Sequence, residues 1–146
     1  MESLDINNTT ETHHLFPSGE WEGFYIYEEG PASQRSMMYF TLSFENKVVT
    51  GGGSDNVGSF TWKGTYDTQA LWCKMTKHYV THTVDYDGHV DENGIWGKWT
   101  ISLRSFVFST GGFHIWPKKT EEVAESAEVE RIELDVKVKV PVVVTV

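Results

Sequence analysis

Ile95-Trp96-Gly97-Lys98-Trp99-Thr100-Ile101-Ser102-Leu103 decides the fold. Ile95, Gly97, Trp99, Ile101 and Leu103 share one parity, with Lys98, Thr100, Ser102 and Arg104 on the other. A period of two is the signature of a strand with one buried face, and a helix would need a period near 3.6. The pattern recurs upstream. Met38, Phe40, Leu42 and Phe44 fall on one face, as do Phe60, Trp62, Gly64 and Tyr66, and then Val80, His82, Val84 and Tyr86. Turn-forming residues separate these runs at Glu45-Asn46, at Ser54-Asp55-Asn56-Val57-Gly58, at Asp67-Thr68-Gln69 and at Asp91-Glu92-Asn93-Gly94. Asp87-Gly88 is taken as a bulge within a continuing strand rather than a turn. About eight strands result, at 21–27, 36–45, 47–54, 59–67, 70–76, 79–90, 94–103 and 105–116. Short connections make sequential neighbours antiparallel. One apolar face per strand predicts an all-β, up-and-down barrel, because closure removes exposed edges. A two-sheet sandwich is the rival arrangement.

Composition agrees. Six Trp, six Tyr and eight Phe stand beside 13 Gly in 146 residues, a mixture suited to strands and tight turns. That length predicts one domain with its own core. Three zones differ: a polar arm at 1–18, expected to be flexible; the barrel at 19–117; and an acidic linker with a strand-like segment at 118–146. The net charge of −9 argues against a nucleic-acid partner, which needs clustered Lys and Arg. No apolar run approaches the ~18–20 residues of a helical span, so no membrane partner is expected. One cysteine, Cys73, and an N-terminal stretch without an apolar core point to a reducing, cytoplasmic setting.

Trp21-Glu22-Gly23-Phe24-Tyr25, Trp62-Lys63-Gly64-Thr65-Tyr66 and Ile95-Trp96-Gly97-Lys98-Trp99 share a pattern of large apolar, Gly and aromatic residues at alternate positions. A Gly between two large neighbours on one face leaves room for a side chain from across the barrel and lets the strand bend. The opening Gly19-Glu20-Trp21-Glu22-Gly23 resembles the first-strand G-x-W motif of the calycin group, which includes avidins and lipocalins. The resemblance implies that Trp21 closes one end of an antiparallel barrel and that small apolar ligands enter at the other. The chain departs from lipocalins in lacking disulfides, and from avidins in lacking their biotin-contacting pattern.

Gly51-Gly52-Gly53-Ser54-Asp55 superficially suggests a phosphate cradle, but a strand follows it and no G-K-[ST] is present. Asp55 is better read as an Asx residue bracing its loop, with Gly58 at positive φ. His78 and His82 are four apart, which on a strand separates them by ~13 Å, so no metal site is expected. No cofactor is expected either.

The predicted inner faces bring together Tyr25, Trp62, Tyr66, His82, Tyr86 and Trp99 as candidate ligand-binding residues. Aromatic lining with a few polar tips is what small-molecule cavities use, and a small barrel either fills with side chains or holds one ligand. Three functions follow: a non-enzymatic barrel binding a small apolar or aromatic ligand inside; a protein-interaction module using outward Trp96 and the terminal strand; and a small isomerase or hydrolase with His82 as base. The last has no second catalytic group of defined geometry. An interior volume of ~300 Å³ or more would favour the ligand. At the C-terminus, Ile132, Leu134, Val136, Val138 and Val140 alternate with charged residues, a strand that must dock on the barrel or on a second copy to avoid aggregation.

Overall fold

The computed structural model describes residues 10–28, 34–103 and 106–119. The strands are β1 Gly19–Tyr27, β2 Ser36–Glu45, β3 Val48–Asp55, β4 Ser59–Asp67, β5 Trp72–Tyr79, β6 Thr83–Asp91, β7 Gly94–Leu103 and β8 Phe106–Pro117. Each pairs antiparallel with the next, and β1 pairs with β8 to close the barrel. The sandwich is thereby excluded. The terminal strand segment at 132–140 lies outside the described residues.

Alternation places Trp21, Gly23 and Tyr25 inward from β1, Trp62 and Tyr66 from β4, and Ile95 and Trp99 from β7. What crowds the three repeated glycines is chiefly the backbone of the neighbouring strand, not a side chain from across the barrel. A Cβ at Gly64 would lie 2.0 Å from the Lys74 carbonyl oxygen, and one at Gly97 would lie 2.1 Å from that of Asp87. Gly88 is the position that leaves space for side chains, since a Cβ there would meet Ile95 at 2.5 Å and Phe113 at 3.0 Å. The register through Gly88 is regular on both sides, so no bulge occurs there; the irregularity falls between Ile101 and Ser102. The β2–β3 hairpin turns on Asn46 and Lys47, both at positive φ (51° and 67°), as a two-residue turn matched to strand twist requires.

The two ends differ. At one, residues 10–18 fold across the opening instead of forming a free arm. Phe16 is 0 % exposed, its ring 5.0 Å from that of Tyr66 and 5.5 Å from that of Phe44. Trp21 seals the same end and donates its indole N–H to the Pro17 carbonyl at 2.9 Å. Backbone bonds fix the segment, with Glu11 N–H donating to the Phe44 carbonyl and the Phe44 N–H to Ser18 Oγ, each at 2.9 Å. The adjacent pair Leu15-Phe16 inside a polar stretch carries no periodicity, which is why the sequence reads as an arm. Residues 1–9 lie outside the described residues.

The other end carries the β1–β2, β3–β4, β5–β6 and β7–β8 connections and is rimmed by exposed apolar side chains. Val57 and Val80 are 52 % and 97 % exposed, and Phe106 and Phe108 are 76 % and 73 % exposed. The most exposed apolar groups gather at this end and mark it as the mouth, against only the less exposed Val48 and Trp96, 42 % and 41 %, towards the capped end among the described residues.

Candidate functional site

Five of the six candidate residues point inward and are buried: Tyr25, Trp62, Tyr66, Tyr86 and Trp99. They occupy different levels. Tyr66 sits at the capped end, where its hydroxyl donates to Glu11 Oε1 at 2.9 Å. Burial, and then this carboxylate, push its pKa up to about 12. Trp62 lies between Phe40 and Tyr86, at ring distances of 5.4 and 4.9 Å, and its buried indole N–H has no hydrogen-bond partner among the described residues. Tyr25, Tyr86 and Trp99 reach the mouth. Trp99 donates to the Ile26 carbonyl at 2.9 Å, and Tyr25 donates to Asn56 Oδ1 at 2.8 Å.

The inward placement of His82 is a correction, although the side chain does line the mouth cleft. β5 continues to Tyr79 and β6 begins at Thr83, so Val80, Thr81 and His82 form the connection. His82 is exposed, stacked on Tyr79 at 4.8 Å and bonded to Thr81 Oγ1 at 2.9 Å. It sits on the rim and has no neighbouring base or acid that would equip it for catalysis among the bonds described. Trp96 faces outward as its parity implies, 41 % exposed, donating to Asp91 Oδ2 at 3.0 Å.

The centre of the mouth belongs to residues absent from the candidate set. Lys77 projects inward from β5 with 0 % exposure. Its ammonium donates to Asp55 Oδ2 at 2.7 Å, to the Tyr79 hydroxyl at 3.1 Å and to Met38 Sδ at 3.2 Å. The Tyr79 hydroxyl in turn donates to Asp55 Oδ2. Five rings surround the charge, with Nζ 4.5 Å from the Phe60 centroid, 4.9 Å from Tyr25, 5.1 Å from Tyr86, 5.2 Å from Tyr79 and 5.5 Å from Trp62. An ammonium amid ring faces gains cation–π attraction that grows when water is excluded.

Electrostatics follow from this packing. Burial pulls the Lys77 ammonium down to about 8, a shift that Asp55 opposes without cancelling. Burial works to raise the Asp55 carboxyl, but hydrogen bonds from Lys77 and Tyr79 outweigh it and hold the group below its ordinary value. Tyr79 is pushed up by burial and by the Asp55 charge. Asp55 also keeps its expected loop role. Its Oδ1 accepts from the N–H of Val57 at 2.9 Å and of Gly58 at 3.3 Å, and Gly58 has φ of 152°. One carboxylate thus braces the rim with one oxygen and neutralises the buried cation with the other.

Parity was the available signal for both. Lys77 alternates with Cys73, Met75 and Tyr79, and Asp55 with Val49, Gly51 and Gly53.

The interior is nearly full. The mouth cleft, lined by Tyr25, Tyr79, His82, Val84, Tyr86 and Trp99, holds about 30 Å³, far short of a whole ligand. A second hollow of about 250 Å³ lies beside it, between Tyr27–Glu28 and Val107–Thr110, and Tyr27 lines both. No group of three His, Cys, Asp or Glu able to hold a metal occurs among the described residues. Comparison with protein-family models, curated proteins and solved structures finds no match to this chain.

Proposed function

We propose that this barrel is a binding protein whose mouth, rather than its interior, takes a small apolar or aromatic ligand. One observation carries this reading: the cleft and the larger hollow adjoin across Tyr27, at the end where the most exposed apolar side chains gather, Val57, Val80, Phe106 and Phe108. Their volumes together approach the ~300 Å³ at which ligand sites begin. A slender group enters the cleft between Tyr25, Tyr86 and Trp99, and the rest of the ligand lies on Tyr27, Val107 and Phe108. A capped base with an open apolar mouth is also what the calycin-like opening motif implies, and at that coarse level the resemblance supports the same end of the barrel.

The test uses a neutral fluorescent probe, N-phenyl-1-naphthylamine. Expected is saturable binding with quenching of tryptophan emission, weakened about tenfold or more by Tyr27→Glu, since about 1.4 kcal/mol is a factor of ten and burying a charge there costs at least that. Non-saturable uptake that Tyr27→Glu leaves unchanged overturns the proposal.

A second reading is favoured by the start of β8. Its pairing with β1 ends at Gly111, so Phe106–Ser109 stand beyond the rim with only β7 beside them among the described residues. An apolar edge of this kind accepts a strand from another chain. A stable dimer that Phe106→Ser dissolves, without loss of probe binding, would assign the hairpin to protein contact.

A further inference from the structure

Packing alone does not require a cation at position 77. A methionine of similar length fills the same space without the desolvation cost of an ammonium that has a single anionic partner and spends one donor on a thioether. The arrangement has a chemical use. Lys77 Nζ is held by a carboxylate, which takes up protons, and by a phenol, which gives one up, and three of the five rings that surround it, Tyr25, Tyr79 and Tyr86, also line the mouth cleft.

We propose that Lys77 is a carbonyl-binding amine, condensing reversibly with a small aldehyde whose formyl end enters the cleft. The inference rests on the mouth reading and adds the ligand's chemical class. In the first step Asp55 accepts a proton from the Lys77 ammonium, freeing the lone pair that attacks the carbonyl carbon. The carbonyl π pair moves to oxygen, which takes a proton from the Tyr79 hydroxyl to give a carbinolamine. Tyr79 recovers its proton through Asp55. Loss of the hydroxyl as water then needs one further proton, which the nitrogen supplies through the same pair. The balance is aldehyde plus ammonium going to iminium plus water, with no oxidant or reductant. The product carries the same single positive charge in the same place, so Asp55 and the five rings that stabilise the ammonium also stabilise the iminium. Volume sets the specificity: about 30 Å³ admits a formyl group and excludes a branched ketone. With the ammonium pulled down to about 8, about a tenth of Lys77 is the neutral nucleophile at neutral pH, against far less of an ordinary exposed lysine.

The test is reductive alkylation of the folded full chain with acetaldehyde and cyanoborohydride at pH 7, mapped by peptide mass spectrometry. Lys77 is expected to gain an ethyl group at least about tenfold faster than exposed Lys63, Lys74 and Lys98. Tyr79→Phe is expected to slow Lys77 alone and leave the exposed lysines unchanged. Lys77 remaining unmodified while the exposed lysines react to completion overturns the proposal. If N-phenyl-1-naphthylamine binding persists in that case, the imine is lost and the mouth reading stands; if neither occurs, both fail.

Discussion

Lys77→Ala is expected to destabilise the barrel by about 3–5 kcal/mol, the range for removing one partner of a buried ion pair. The loss is not that of the salt bridge alone. Asp55, whose side chain is 0 % exposed, would be left with only Tyr79 to donate to its Oδ2. The double variant Lys77→Met, Asp55→Asn is therefore expected to cost clearly less than the sum of its two single changes, since it removes both charges together. Urea denaturation of the four proteins closes the cycle. Additive losses would mean that the two groups do not interact.

The same pair fixes the pH response. Asp55 is depressed in the native state, so its contribution is complete above the ordinary carboxylate range and disappears as pH falls through the native value. Once it is protonated, the Lys77 ammonium stands without its anion, and acid unfolding is expected to be steep. Lys77 acts in the opposite range. Between its native value of about 8 and its ordinary 10.5 the unfolded chain binds more protons, so this group lets stability rise with pH there. Tyr66, raised from 10.0 to about 12, reverses the trend above pH 10, because the native state then holds the extra proton.

Phe16→Ala is expected to cost about 3–5 kcal/mol and lower Tm by roughly 10 °C, which is large for a residue in a stretch that reads as a polar arm. Phe16 fills the opening between Phe44 and Tyr66, and the closed strands offer no other residue to replace it. Its loss would expose the base of the core and the Tyr66–Glu11 bond to water. His82→Ala serves as the contrast. The imidazole lies on the rim, and its loss is expected to fall within about 0.5 kcal/mol of no effect. Thermal unfolding of both variants checks the pair; a His82 change as costly as the Phe16 change would place the imidazole inside after all.

Why alternation revealed the barrel and missed its most unusual residue is physically clear. Period two reports which side of a strand a residue occupies, and it succeeded wherever apolar side chains repeat, as at Trp62 and Tyr66 or Ile95 and Trp99. It needs correct strand ends. Val80-Thr81-His82 contains no Gly, Pro or Asn, and Val and Thr favour strands, so the bend there leaves no trace in residue type. Extending the strand through it carried His82 onto the inner face. Lys77 was hidden for a different reason: a lysine is assigned to water by its chemistry, and only its phase with Met75 and Tyr79 argues otherwise. The counter-ion comes from another strand, 22 residues away in sequence, where Asp55 had already a sufficient local explanation as a loop brace.

Selective observation of the Lys77 ε-methylene by ¹³C–¹H NMR, assigned through Lys77→Arg, tests the caged cation most directly. Five aromatic rings within 4.5–5.5 Å of Nζ should move its protons far upfield of every other lysine, and its titration midpoint should fall near pH 8. A methylene signal at the position of the exposed lysines, titrating near 10.5, would place Lys77 in water and contradict the whole account of the mouth.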